Sequence, residues 1–117
     1  MAWQSIRLEL AETHDFPRGS ASRVYLLRLP LDAEGAIDES ALTRLPERAT
    51  VRRFWPSQAD LWGRVVKTAQ GWAFAYGGGD PVIQPNLPAL HNGADVLLSE
   101  PDGTALPFRV ARLERLN

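Results

Sequence analysis

A chain of 117 residues with a formal charge of −1 and 44% hydrophobic residues is the size and composition of one globular domain, and residues 1–117 are read as one. The near-neutral balance lacks the strongly basic character of a duplex-DNA binder, and the apolar content is too high for a disordered chain. There is no cysteine, which excludes disulfides, thiolate zinc sites and thiol nucleophiles.

The opening residues MAWQSIRLELAETHD place Arg7 and Glu9 inside their apolar stretch. No secretory signal peptide is expected from such a pattern, and no segment has the length of a membrane span. The expectation is a cytoplasmic protein with no membrane association.

The dominant period along the chain is two. Ile6, Leu8 and Leu10 alternate with Arg7 and Glu9, the pattern of a half-buried strand with Trp3 and Arg7 turned to the other side. Pro17 and Gly19 mark a turn. From Ser22 to Leu29 both faces are apolar, as in a central strand that Pro30 ends.

One short helix is predicted at about residues 38–45. Asp38 serves as N-cap, Glu39 lies in the first turn, and Ile37 and Leu42 occupy the positions of a hydrophobic staple. Pro46 stops it, and about two turns must lie on a sheet to persist.

Strand patterns return at Thr50–Trp55, Leu61–Thr68 and Trp72–Tyr76, with Gly71 in a tight connection before the last. Gly77, Gly78 and Gly79 break the pattern, and the stretch from there to Gly93 is proline-rich. Ala94–Ser99, the turn Pro101-Asp102-Gly103 and Thr104–Leu113 form a hairpin, with Pro107 placed where no ladder N–H is needed. About seven strands at intervals near ten residues, with one helix, predict a mainly β fold: a small antiparallel β-barrel or sandwich.

Several residue groups have the composition of a site. Asp32, Glu34, Asp38 and Glu39 around Gly35 resemble part of a calcium-binding loop. Pro30 and Ala41 stand where the first and last carboxylates belong, so a turn and a capped helix are expected instead. His14 beside Asp15 and His91 beside Asp95 would hold a metal only if folding brought two loops together. Ser20 or Ser57 with His91 and Asp95 lacks the context of an activated serine. Gly77–Gly79 lacks the lysine ending of a phosphate loop, and Pro85-Asn86-Leu87-Pro88 matches PxxP in a chain with nine prolines.

The segment from Val51 to Tyr76 holds three of the four tryptophans and four basic residues against one acid, Asp60. Trp72, Phe74 and Tyr76 at period two are expected to form an inward stripe. Arg52, Arg53, Trp55, Trp62 and Arg64 are the candidate binding residues: rings at strand spacing stack on flat ligands while guanidiniums hold anions. Arginines solvated or paired with Asp60 and Glu47 are the alternative, and Trp55 and Trp62 admit either reading.

The run TVRRFWPSQADLWGRVVKTAQGWAFAY, followed by ADVLLSEPDGTALPFRVARLERL, resembles a set of small bacterial proteins of uncharacterised function, over most of residues 1–117. That resemblance implies a mostly β domain and carries no activity, ligand or functional residue with it.

The functional expectation is a non-catalytic binding or interaction module without a cofactor, whose partner is a protein met through an exposed Trp3, the Trp55/Trp62 loop or a free sheet edge. The second is binding of single-stranded nucleic acid or another anionic polymer on residues 48–67. The third is a metal-dependent enzyme using His14 and His91.

Overall fold

The computed structural model describes residues 1–116. Eight strands form one antiparallel sheet: β1 (Ala2–Leu10), β2 (Ser20–Leu31), β3 (Thr50–Phe54), β4 (Leu61–Thr68), β5 (Gly71–Tyr76), β6 (Val82–Ile83), β7 (Asp95–Ser99) and β8 (Ala105–Arg115). Their order is β6-β5-β4-β3-β2-β1-β8-β7, which puts the first strand between the second and the last. The sheet curls into a nearly closed barrel, so the barrel expectation is the one realised. The strand beyond the expected seven is β6, whose two residues between Pro81 and Pro85 are too short to show a period.

Alternation decides what points inward. Ile6, Leu8 and Leu10 of β1 face the interior, as do Tyr25, Leu27 and Leu29 of β2 and Val51 of β3. At the centre the Tyr25 ring packs 5.8 Å from Phe74 and 5.1 Å from Phe108, the second edge-on at 89°. These contacts add about 0.5–1.5 kcal/mol each to the burial of the rings. The expected stripe of Trp72, Phe74 and Tyr76 does face this core, with Phe74 fully enclosed and its two neighbours partly so.

The two sheet edges, β6 and β7, are joined by a side chain. The Gln84 amide donates to the Ser99 carbonyl at 3.0 Å and accepts the Ser99 N–H at 2.8 Å, while the Gln84 backbone N–H donates to Trp72 in β5 at 2.8 Å. A side-chain amide thus stands in for a strand residue and satisfies an edge that would otherwise be open. Leu87 and Leu90 of the following loop pack against the core.

At the end of the barrel where β2 finishes, Asp38 accepts the Ala41 N–H at 3.0 Å and caps α1 (Glu39–Arg44) as the sequence predicts. Ala41 and Leu42 bury against the barrel, and Pro46 opens a single 3-10 turn to Arg48. The expectation of an exposed Trp3 is corrected here. Trp3 is only 8% exposed and joins the core cluster, with the Arg48 guanidinium 4.8 Å from its ring centroid. Alternation put Trp3 on the outer side, but the chain after α1 returns to cover it.

Candidate functional site

The candidate residues divide by strand alternation. Along β3, Val51 and Arg53 face inward while Thr50, Arg52 and Phe54 face outward. On β4, Trp62 pairs with Arg52 and Arg64 pairs with Thr50, so both share the outer face. Arg52, Trp62 and Arg64 therefore come together on the outside. Arg53 and Trp55 do not join them.

Arg53 enters the mouth of the barrel, the end where β3 hands over to β4. Its Nη2 donates to Glu100 Oε1 at 2.7 Å and its Nε to the same oxygen at 3.1 Å, with the two side chains 8% and 6% exposed. Nη1 donates to Gln58 Oε1 at 3.1 Å. The other Glu100 oxygen accepts the Tyr25 hydroxyl. Burial opposes the Arg53 charge, but the Glu100 carboxylate more than offsets it and holds the guanidinium above its ordinary value. The Tyr76 hydroxyl lies beside this cluster, buried and without a hydrogen-bond partner, and burial pushes it up to about 12. The pairing partner of Arg53 is thus Glu100, and neither Asp60 nor Glu47. A cavity of about 230 Å³ opens above it, lined by Arg53, Gln58, Leu61, Glu100 and Asp102 among others.

Trp55 follows Arg53 into the mouth. Its ring lies 6.2 Å from Phe108, and the Arg53 guanidinium covers it at 4.0 Å. Each of the four tryptophans in fact carries a cation: Arg48 on Trp3, Arg53 on Trp55, Arg52 on Trp62 and Lys67 on Trp72. Arginine beside tryptophan is therefore a general covering device in this chain. What sets Trp62 apart is exposure, at 58%.

The outer face reads as two rows across the strands. Arg112, Arg7, Leu26, Arg52 and Trp62 are successive partners on β8, β1, β2, β3 and β4. Ser5, Arg28, Thr50 and Arg64 form the neighbouring row. The Arg52 guanidinium lies 3.6 Å from the Trp62 ring centroid and 4.8 Å from that of Phe54. Arg7 is paired with Glu9 at 2.8 Å and Arg112 with Glu114 at 3.2 Å. Among the described residues, Arg28, Arg52 and Arg64 have no carboxylate within ion-pairing distance. This outside is charged and the inside apolar, the reverse of a lipid-facing barrel. No helix is long and apolar enough to cross a membrane.

The remaining candidates separate. His14 sits in the β1–β2 loop beside Leu10, whereas the His91 ring packs against Gly35, beyond the other end of β2. A strand of this length spans roughly 30 Å, so the two imidazoles share no metal. Asp95 is taken by Arg109 at 3.1 Å, which leaves no serine–His91–Asp95 arrangement. Asp32 accepts the N–H groups of Glu34 and Ala36, so the acidic run makes a turn and a cap.

Glu100, Tyr25 and Gln84 were not among the sequence candidates. For Glu100 a signal existed: Val96, Leu98 and Glu100 continue one inward alternation, and a buried acid needs a partner. Inward Arg53 was that partner. Gln84 had no such signal, because it follows a strand of two residues.

Fold and site together define a nearly closed antiparallel β-barrel with an interior ion pair at its mouth and an arginine–tryptophan outer face. Comparison with protein-family models, with curated proteins and with solved structures finds no match for this chain.

Proposed function

We propose that the protein is a non-catalytic binding module that meets a partner protein on the outer face of β2, β3 and β4, around Arg52 and Trp62. One observation carries the reading: Trp62 is 58% exposed and already stacked on Arg52. Arg28 and Arg64 stand nearby without acidic partners. Tryptophan and arginine dominate the energetics of protein interfaces, and here the two stand together on one open face. The cation stack also pre-orders both side chains, which lowers the entropy lost on docking. Unpaired guanidiniums suit a partner surface rich in Asp and Glu. In this reading the module works in the cytoplasm.

The second reading, an anionic polymer such as single-stranded nucleic acid, is favoured by the spread of Arg112, Arg7, Arg28, Arg52 and Arg64 over five adjacent strands. Placing a photo-crosslinking phenylalanine analogue at position 62, in cells that naturally express the chain, separates the two. A discrete protein adduct that is lost with Arg64→Glu is the expected result. A nuclease-sensitive adduct would transfer the face to the second reading, and no adduct of either kind would end both.

A further inference from the structure

The mouth of the barrel carries a second surface feature, independent of the outer face. A cup of about 320 Å³ lies between the β1–β2 loop and Trp55, lined by Leu10, Phe16, Trp55 and Leu106 as walls, with Thr13, His14, Asp15 and Arg23 completing it. We infer that this cup is a binding site for a small organic carboxylate with an aromatic body, with Arg23 as the anion-binding residue.

The cation is already in place. The Arg23 guanidinium sits 4.1 Å from the Phe16 ring centroid and 5.9 Å from that of Trp55. Nη1 donates to Ser20 Oγ at 3.2 Å, and among the described residues no carboxylate pairs with Arg23. Asp15 lines the cup but is exposed. Nε and Nη2 thus remain as a planar fork, the geometry that receives a carboxylate on two parallel hydrogen bonds.

The walls are fixed from behind. Trp55 is backed by Arg53 and Phe108, and Arg53 is tied to Glu100 inside the barrel. Phe16 is held in its loop by its N–H on Thr13 Oγ1 at 3.0 Å, and its carbonyl accepts both Thr13 and Gly19 at 2.9 Å. A pre-formed pocket with apolar rings and a few placed polar groups is the usual form of a small-ligand site; here Arg23 supplies the cation, and the Asp15 carboxylate is exposed to solvent, where water screens it. The cup's volume is near the lower end of such pockets, about 300 Å³, which limits the body to a single ring system.

Phenylacetate, with its neutral counterpart phenylacetamide, probes this directly in proton–nitrogen correlation spectra of the labelled full-length protein. Phenylacetate is expected to shift Thr13, Phe16, Arg23 and the Trp55 indole N–H, with a dissociation constant on the order of 1 mM for a ligand of this size. Phenylacetamide should bind roughly tenfold more weakly. Arg23→Gln should weaken phenylacetate about tenfold and leave the amide unchanged, since only the charged contact is lost. Equal binding of acid and amide, no shifts at about 20 mM, or shifts centred on Trp62 would each overturn the assignment. Failure of the outer-face reading leaves these outcomes untouched.

Discussion

Tyr25 and Glu100, 75 positions apart in the chain, meet inside the barrel, where the phenol donates to one carboxylate oxygen while Arg53 occupies the other. The ring of the same tyrosine packs between Phe74 and Phe108, so one residue links the apolar core to the charged mouth. Removing the acid leaves a buried guanidinium with no counter-charge, held by Gln58 alone, and a buried hydroxyl without its acceptor. Glu100→Ala is therefore expected to cost about 3–5 kcal/mol in urea unfolding. The double variant Arg53→Met, Glu100→Leu should recover much of that loss, because no charge is then left stranded. A double variant as unstable as Glu100→Ala would mean that the pair itself is irreplaceable.

Alkaline behaviour follows from the same cluster. Both tyrosines of the chain lie here: burial pushes Tyr76 up to about 12, and burial with the Glu100 charge raises Tyr25 still further. Below pH 10 folded and unfolded chains hold both protons. Above it the unfolded phenols ionise while the folded ones stay neutral, so stability falls as pH rises toward 12. Tyr76 alone accounts for about 2–3 kcal/mol over that interval. Phenolate absorbance should stay absent through pH 10 and rise with loss of the fold; titration of either tyrosine near its ordinary value in folded protein would contradict this.

The Gln84 bridge makes a claim about the seam. Gln84→Ala removes both bonds to Ser99 and leaves a part-buried N–H and carbonyl without that partner, a loss of about 1–3 kcal/mol. Hydrogen exchange at the Ser99 amide should accelerate more than at Leu8 in the middle of the sheet. Unchanged protection at Ser99 would show that the seam is closed by something else.

Gly63 is required by contact. A Cβ there would stand 2.3 Å from the Ala75 carbonyl oxygen and 2.9 Å from its carbon, both backbone atoms of the paired strand. Gly63→Ala is expected to cost more than about 3 kcal/mol or to prevent folding, whereas Gly79→Ala meets open space and should be nearly neutral. Thermal midpoints of the two variants decide the point.

Trp62 gives the reverse expectation. It contributes little packing to the core, so Trp62→Ala should change stability by about 0.5 kcal/mol or less. It should also lower the iodide-accessible tryptophan fluorescence more than loss of Trp3, Trp55 or Trp72 would, because Trp3 is buried and Trp55 and Trp72 are only partly exposed. Quenching undiminished in the variant would place the most accessible ring elsewhere.

Much of this arrangement was legible because period two reports facing directly. The inward stripe of Trp72, Phe74 and Tyr76, the cap at Asp38 and the last hairpin all followed from local patterns that the fold leaves intact. The same period separates Arg52 from Arg53 along β3, with Val51, Arg53 and Trp55 opposite Arg52 and Phe54, but it does not say which of the two faces is the inner one. Trp3 failed for a different reason. Alternation from Ile6 turned it away from the core, whereas the ring is enclosed in the core cluster, with Arg48 over it from far along the chain.

The sequence by itself determined the strands, the one capped helix and which side of each strand is apolar, because these depend on neighbours within a few residues. Only the tertiary structure decided that Arg53 finds Glu100, that Gln84 joins the two sheet edges, and that Trp62 is the most exposed of the four tryptophans. Those outcomes depend on strand order and on how far the sheet curls. Both are set by packing the whole interior at once, and no local window of residues records them.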